Sequence, residues 1–89
     1  MPPPRRKQPR TPDLAALGKA VEQLRKDRGL TQEELGSLVF TDHNLAGKIE
    51  RGQRDPHYST LLRLATALET KPETILALAR RFAEASEKP

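Results

Sequence analysis

The chain has no cysteine, which excludes disulfide staples and thiolate metal sites. Its only histidines, His43 and His57, stand apart from each other and from any partner at metal-ligand spacing. No apolar run approaches the roughly 18 residues a membrane span needs, and no signal-peptide core is present. Nothing pairs a nucleophile with a base, clusters metal ligands or forms a phosphate-binding glycine loop, so no enzyme and no cofactor are expected. No segment alternates apolar and polar residues with period two, which argues against strands. These absences leave a small, cysteine-free chain expected in a reducing cytoplasm.

What is present is a single small domain's worth of residues, 89 in all, with apolar side chains at helical spacing. Charge is informative by position rather than in total. The net charge is +4, and all of it sits in Met1–Arg10, where Arg5, Arg6, Lys7 and Arg10 face no acid. Residues 11–89 balance twelve cations against twelve acids. Any positive potential on the folded part must therefore come from uneven placement of balanced charges.

Residues 1–10, with four prolines, are expected to form an extended basic arm that cannot order itself by burial. Two readings stay open for it, a strap along nucleic-acid phosphates or a solvated tail. Helix 1 is expected from Thr11, with Pro12 at the first helical position and Asp13 at the positive end of the dipole. Leu14, Leu17, Val21 and Leu24 make its apolar stripe, and Gly29 its left-handed stop. Thr31 and Glu34 form a capping box opening helix 2, whose inward face is Leu35, Leu38 and Val39. Gly36 is tolerated inside that helix if another backbone crosses closely there.

A turn at Val39-Phe40-Thr41 leads to helix 3, roughly Asp42 to Arg51. It carries His43, Asn44, Lys48 and Arg51 opposite Ala46 and Ile49, and Gly52 closes it. Pro56 bars continuation into the loop. Helix 4 follows from Tyr58 to Leu68, with His57 at its cap. Helix 5 opens on a second Thr-x-x-Glu box, Thr70 to Glu73, and runs to about Ala85 with Ile75, Leu76, Ala79, Phe82 and Ala83 inward. The fold class is all-α with five short helices. The domain should span 11–86, with a helix-turn-helix at 31–52 and a short tail at 87–89.

Several linked signatures then resemble the Cro/repressor-type (Xre) helix-turn-helix family. They are Leu24-Arg25-Lys26-Asp27-Arg28-Gly29-Leu30-Thr31-Gln32-Glu33-Glu34-Leu35, then Lys48-Ile49-Glu50-Arg51-Gly52, then Pro56 with Thr60-Leu61-Leu62-Arg63-Leu64-Ala65. The resemblance covers about Leu17 to Leu76 and implies a lambda-repressor-like domain binding double-stranded DNA as a transcriptional regulator. It implies that Thr31 and Gln32 meet a phosphate at the start of helix 2. His43 and Asn44 would reach base edges, and Lys48 a guanine or a phosphate. Arg51 and Arg54 would bind backbone phosphates. Arg25 and Glu50 resemble a partly buried ion pair joining helix 1 to helix 3. The plainer alternative for these polar residues is a solvated helix face.

The sequence departs from the family pattern in two places. Phe40 stands where the turn usually has Gly, and Gly47 where the recognition helix often carries a polar side chain. The latter offers no side-chain readout and leaves more to DNA shape. A homodimer is expected, acting as a repressor in the cytoplasm at the nucleoid, since one recognition helix reads too few base pairs alone. Its candidate surface is the helix 4–5 region with Leu78 and Phe82, although Phe82 folding back onto helix 1 is an equal alternative. A second functional class is an antitoxin or anti-regulator whose main partner is another protein, a toxin or a regulator.

Overall fold

The computed structural model describes residues 12–39 and 44–87. The basic arm, Thr11, and the turn from Phe40 through His43 lie outside the described residues, and so do the expectations placed on them. Among the described residues the chain is five α-helices with no strand: α1 Pro12–Asp27, α2 Gln32–Val39, α3 Asn44–Glu50, α4 Tyr58–Ala67 and α5 Pro72–Glu87. The last helix runs two residues beyond the expected Ala85, within the usual uncertainty of a helix end.

The helix ends follow from local chemistry. Thr31 and Glu34 cap α2 reciprocally: Glu34 N–H donates to Thr31 Oγ1 at 3.0 Å and Thr31 N–H to Glu34 Oε1 at 2.8 Å. Gly29 (φ 71°) and Gly52 (φ 73°) take the left-handed conformation. Each closes a Schellman motif, with Leu30 N–H returning to Arg25 and Gln53 N–H to Lys48. A third such motif ends α4 without a glycine. There Glu69 sits at φ 53° and Thr70 N–H returns to the Ala65 carbonyl. That placement costs about 1 kcal/mol relative to a glycine. The Glu69 carboxylate pairs with Arg28 at the end of α1, an exposed contact that contributes little.

This third motif also displaces an expected one. Thr70 is engaged in closing α4, and α5 opens with Pro72 at its first position, so Lys71 is the capping residue. The reciprocal side-chain bonds of a Thr70–Glu73 box are not formed. His57 does cap α4, but through its backbone, whose carbonyl receives Leu61 N–H; its side chain makes no capping bond.

The core gathers Val21 of α1, Leu35 and Val39 of α2, Ala46 and Ile49 of α3, Leu64 and Ala65 of α4, Leu68 just after it, and Ile75 of α5. Leu17, Leu24, Leu30 and Leu61 pack around it. α1 lies along α5 and against α3, while α2 contacts α3 and α4. Two apolar residues expected inside are outside: Leu38 is 63% exposed and Leu76 is 51% exposed. A close helix crossing is found at a glycine that the sequence reading did not single out. Gly36 is buried, and a very tight backbone approach occurs at Gly18 in α1. A Cβ there would lie 2.4 Å from the Glu50 carbonyl oxygen and 2.5 Å from that of Ile49. α1 thus abuts the carbonyl end of α3 directly, and only the missing side chain allows it.

Candidate nucleic-acid interface

One carboxylate organises the site from behind. Glu50, at the last turn of α3, has a side chain only 1% exposed. Arg25 of α1 donates to it through Nε (2.6 Å to Oε2) and Nη2 (3.1 Å to Oε1), and its Nη1 donates to the Leu30 carbonyl at 2.8 Å. This is a fork-on-fork geometry with the third nitrogen also satisfied, which is what a buried ion pair requires. The side-chain hydrogen bond to Glu50 and its charge raise the Arg25 pKa, against burial, which lowers it. Arg25 therefore stays charged at any pH the fold meets.

Gln32, the first residue of α2, joins the same carboxylate. Its Nε2 donates to Glu50 Oε1 at 2.9 Å. Because a carboxylate can only accept, this bond fixes which end of the amide faces inward. Three helices are therefore tied to one side chain: α1 by Arg25, α2 by Gln32, α3 by Glu50 itself. Among the described residues no buried side-chain nitrogen or oxygen lacks a partner.

In front of this anchor lies the outer side of α3. Asn44, Gly47 and Arg51 follow at i, i+3 and i+7, so they share one helix face. Asn44 and Arg51 are exposed, Lys48 is half-buried, and Gly47 lies beneath its neighbours. With Gln32 and Glu33 of α2 they line a polar depression of about 410 Å³. The Gly47 backbone is covered by the Arg51 guanidinium, whose Nη1 would be 2.9 Å from a Cβ at that position, and by Gln32 Oε1 at 3.3 Å. Arg51 Nε donates to Gln53 Oε1 at 3.2 Å. Arg54 is exposed in the loop between α3 and α4.

The α2 capping box consumes the N–H groups of Thr31 and Glu34, and Leu35 N–H returns to the Thr31 carbonyl. The Gln32 and Glu33 N–H groups are left at the positive end of α2, beside the depression. A seven-residue α3 behind an eight-residue α2, the two joined by a short connection and locked at the rear, is the arrangement of a helix-turn-helix. Residues 16–79 match the helix-turn-helix domain family.

The chain belongs to the helix-turn-helix family. Domains of this family serve DNA-binding transcriptional regulators. This helix-turn-helix chain is 38% identical to the restriction-modification controller protein C.AhdI of Aeromonas hydrophila, over 73% of its own length and 98% of that protein's chain, with a TM-score of 0.70. It is 38% identical over 52 residues to an HTH-type transcriptional regulator of Sinorhizobium fredii, covering 58% of this chain and 68% of that one. It is also 36% identical over 56 residues to multiprotein-bridging factor 1 of Candida albicans, covering 63% of this chain. The match spans only 37% of the bridging factor's length.

The structure thus brings Gln32, Asn44 and Arg51 to one depression, with Arg25 and Glu50 behind them. Thr31 lines a separate depression beside Arg25 and Gln32, and Arg54 lies in another with Leu45 and Pro56. Lys48 lines neither of the two that adjoin Gln32. Leu78 and Phe82 are half-buried on α5, on the face that includes Ile75. His43 and the arm cations Arg5, Arg6, Lys7 and Arg10 lie outside the described residues. Sequence reasoning missed Gly18, the Gln32–Glu50 bond and the Arg51–Gln53 bond. A glycine inside α1 carries the cost of about 1 kcal/mol that drew attention to Gly36, so Gly18 was within reach of the same argument. Among the described residues no helix is long and apolar enough to cross a membrane.

Proposed function

We propose that this chain is a sequence-specific, double-stranded DNA-binding repressor of transcription that acts as a homodimer and has no catalytic activity. The observation that carries the reading is α3 itself. Its outer face is polar and open at Asn44 and Arg51, while its back is fixed to α1 and α2 through Glu50. A helix held this way can be inserted into a major groove without its own geometry yielding.

In this reading the Asn44 amide pairs with an adenine edge, with His43 beside it, and Lys48 reaches a guanine or a phosphate. The Gln32 and Glu33 N–H groups and the Thr31 hydroxyl face one phosphate. Arg54 binds another, and the arm cations Arg5, Arg6, Lys7 and Arg10 add nonspecific attraction. Because Gln32 Nε2 is already committed to Glu50, Gln32 acts mainly through its backbone and by bracing α3. The dimer forms through the α4–α5 region with the half-buried Leu78 and Phe82.

Selection of bound sites from randomised duplexes tests the whole reading. It should return a two-fold symmetric site with half-sites about 10–10.5 bp apart; recovery of unrelated sequences would contradict it. A second reading, a module whose main partner is another protein such as a toxin or a regulator, is favoured by one observation. Leu38, Leu62, Thr66 and Ala67 line an apolar groove of about 520 Å³ on the side of α4 toward α2. Under that reading, substituting Leu38 and Leu62 together by serine would abolish function and leave DNA affinity unchanged.

A further inference from the structure

We propose that Arg51 reads a base rather than a phosphate, and that Gly47 is the residue that makes this possible. The inference rests on the DNA-reading role of α3 proposed above and names a specificity determinant within it.

Gly47 and Arg51 are one helical turn apart on the same face, and helical side chains lean toward the N-terminal end of their helix. Any side chain at position 47 would occupy the space over its own Cα. With glycine there, that space holds the Arg51 guanidinium, with Nη1 at 2.9 Å and Cζ at 3.6 Å from where a Cβ would be. Gln53 Oε1 receives Nε and holds the side chain from the far side. The charged group is thereby carried about 6 Å, the rise of four residues, toward the reading end of α3.

Three consequences follow for recognition. The guanidinium sits in the polar depression it shares with Asn44, the residue placed at a base edge, with Gln32 and Glu33 on its other wall. Among the described residues Nη1 and Nη2 make no hydrogen bond, so the two groups that match guanine O6 and N7 are available together. The Nε–Gln53 bond fixes the plane of the fork, so a paired contact requires little further ordering. The contact position emptied by Gly47 is thus refilled from the next turn by a longer and more selective side chain.

The test compares the wild-type chain with Arg51→Ala, Arg51→Lys and Gly47→Ala on one library of randomised duplexes, with a thermal melt of each variant. The wild-type chain should enrich guanine at one fixed position per half-site. Arg51→Ala and Arg51→Lys should both lose that preference, by about tenfold or more, and keep the preferences at other positions. Gly47→Ala should lose the same preference while melting no lower than wild type, because its methyl displaces the guanidinium and not the fold. An equal loss of affinity for every sequence in Arg51→Ala, rescued by Arg51→Lys, would identify a phosphate contact and overturn the inference while leaving the DNA-reading role standing. Absence of any enrichment by the wild-type chain would overturn both.

Discussion

Two glycines inside helices, Gly18 in α1 and Gly47 in α3, lie on the two sides of α3, one packed against it and one within it, and do opposite work. The space a side chain would take at Gly18 is filled by main-chain carbonyls of α3, at 2.4 and 2.5 Å. At Gly47 it is filled by the ends of two flexible side chains, at 2.9 and 3.3 Å. Backbone cannot step aside without moving a helix, whereas an arginine tip can. The rear of α3 is therefore specified rigidly by close approach and a buried ion pair, and its front is a surface whose contacts can be changed one side chain at a time. Under the proposed DNA-reading role, that division lets what α3 reads change while the fold is kept.

The comparison can be broken hardest at the rear. Glu50→Gln leaves Arg25 buried opposite a neutral amide and should cost about 3–5 kcal/mol of stability. The exposed Glu84→Gln should change it by less than about 0.5 kcal/mol. Equal melting temperatures for the two would mean that the pair does not hold α3. Gly18→Ala should cost about 1–3 kcal/mol by forcing α1 away from the Ile49 and Glu50 carbonyls, read from chemical denaturation at unchanged m-value.

At the front the effects move from stability to binding. Asn44→Ala should lower affinity for a selected site by about 1–3 kcal/mol and leave affinity for random duplex unchanged. Competition titrations would read this, and an equal loss on both would remove Asn44 from base recognition. The smallest effect is on stability at Gly47. Gly47→Ala should raise it by as much as about 1 kcal/mol through helix propensity alone, and a clear drop in melting temperature would place Gly47 with Gly18 as a packing glycine.

The parts of the fold that sequence could reach were those with a local physical signature. The Thr31–Glu34 box and the stops at Gly29 and Gly52 depend only on neighbouring residues, and each is where the pattern put it. The Arg25–Glu50 pair was available only through the family resemblance, because nothing in spacing joins residues 25 apart. Leu38 and Leu76 were misjudged for a different reason. Helical periodicity defines an apolar stripe but not its width, and both residues lie at its margin, exposed in open grooves beside α4 and α1. The Thr70 box failed because two motifs competed for one residue: closing α4 uses the Thr70 N–H, and Pro72 shifts the start of α5. The position of Arg51 needed three facts at once, an empty site four residues before it, a partner two residues after it, and the handed lean of helical side chains. Sequence displayed all three without indicating that they meet.

The most direct test of this division of labour is the ratio of affinities for a selected site and for random duplex, measured for Gly18→Ala and Gly47→Ala side by side at a temperature where both are folded. The account predicts an unchanged ratio for Gly18→Ala, whose damage is to stability, and a ratio reduced about tenfold or more for Gly47→Ala, whose damage is to readout. A ratio that falls equally in both, or only in Gly18→Ala, would contradict it.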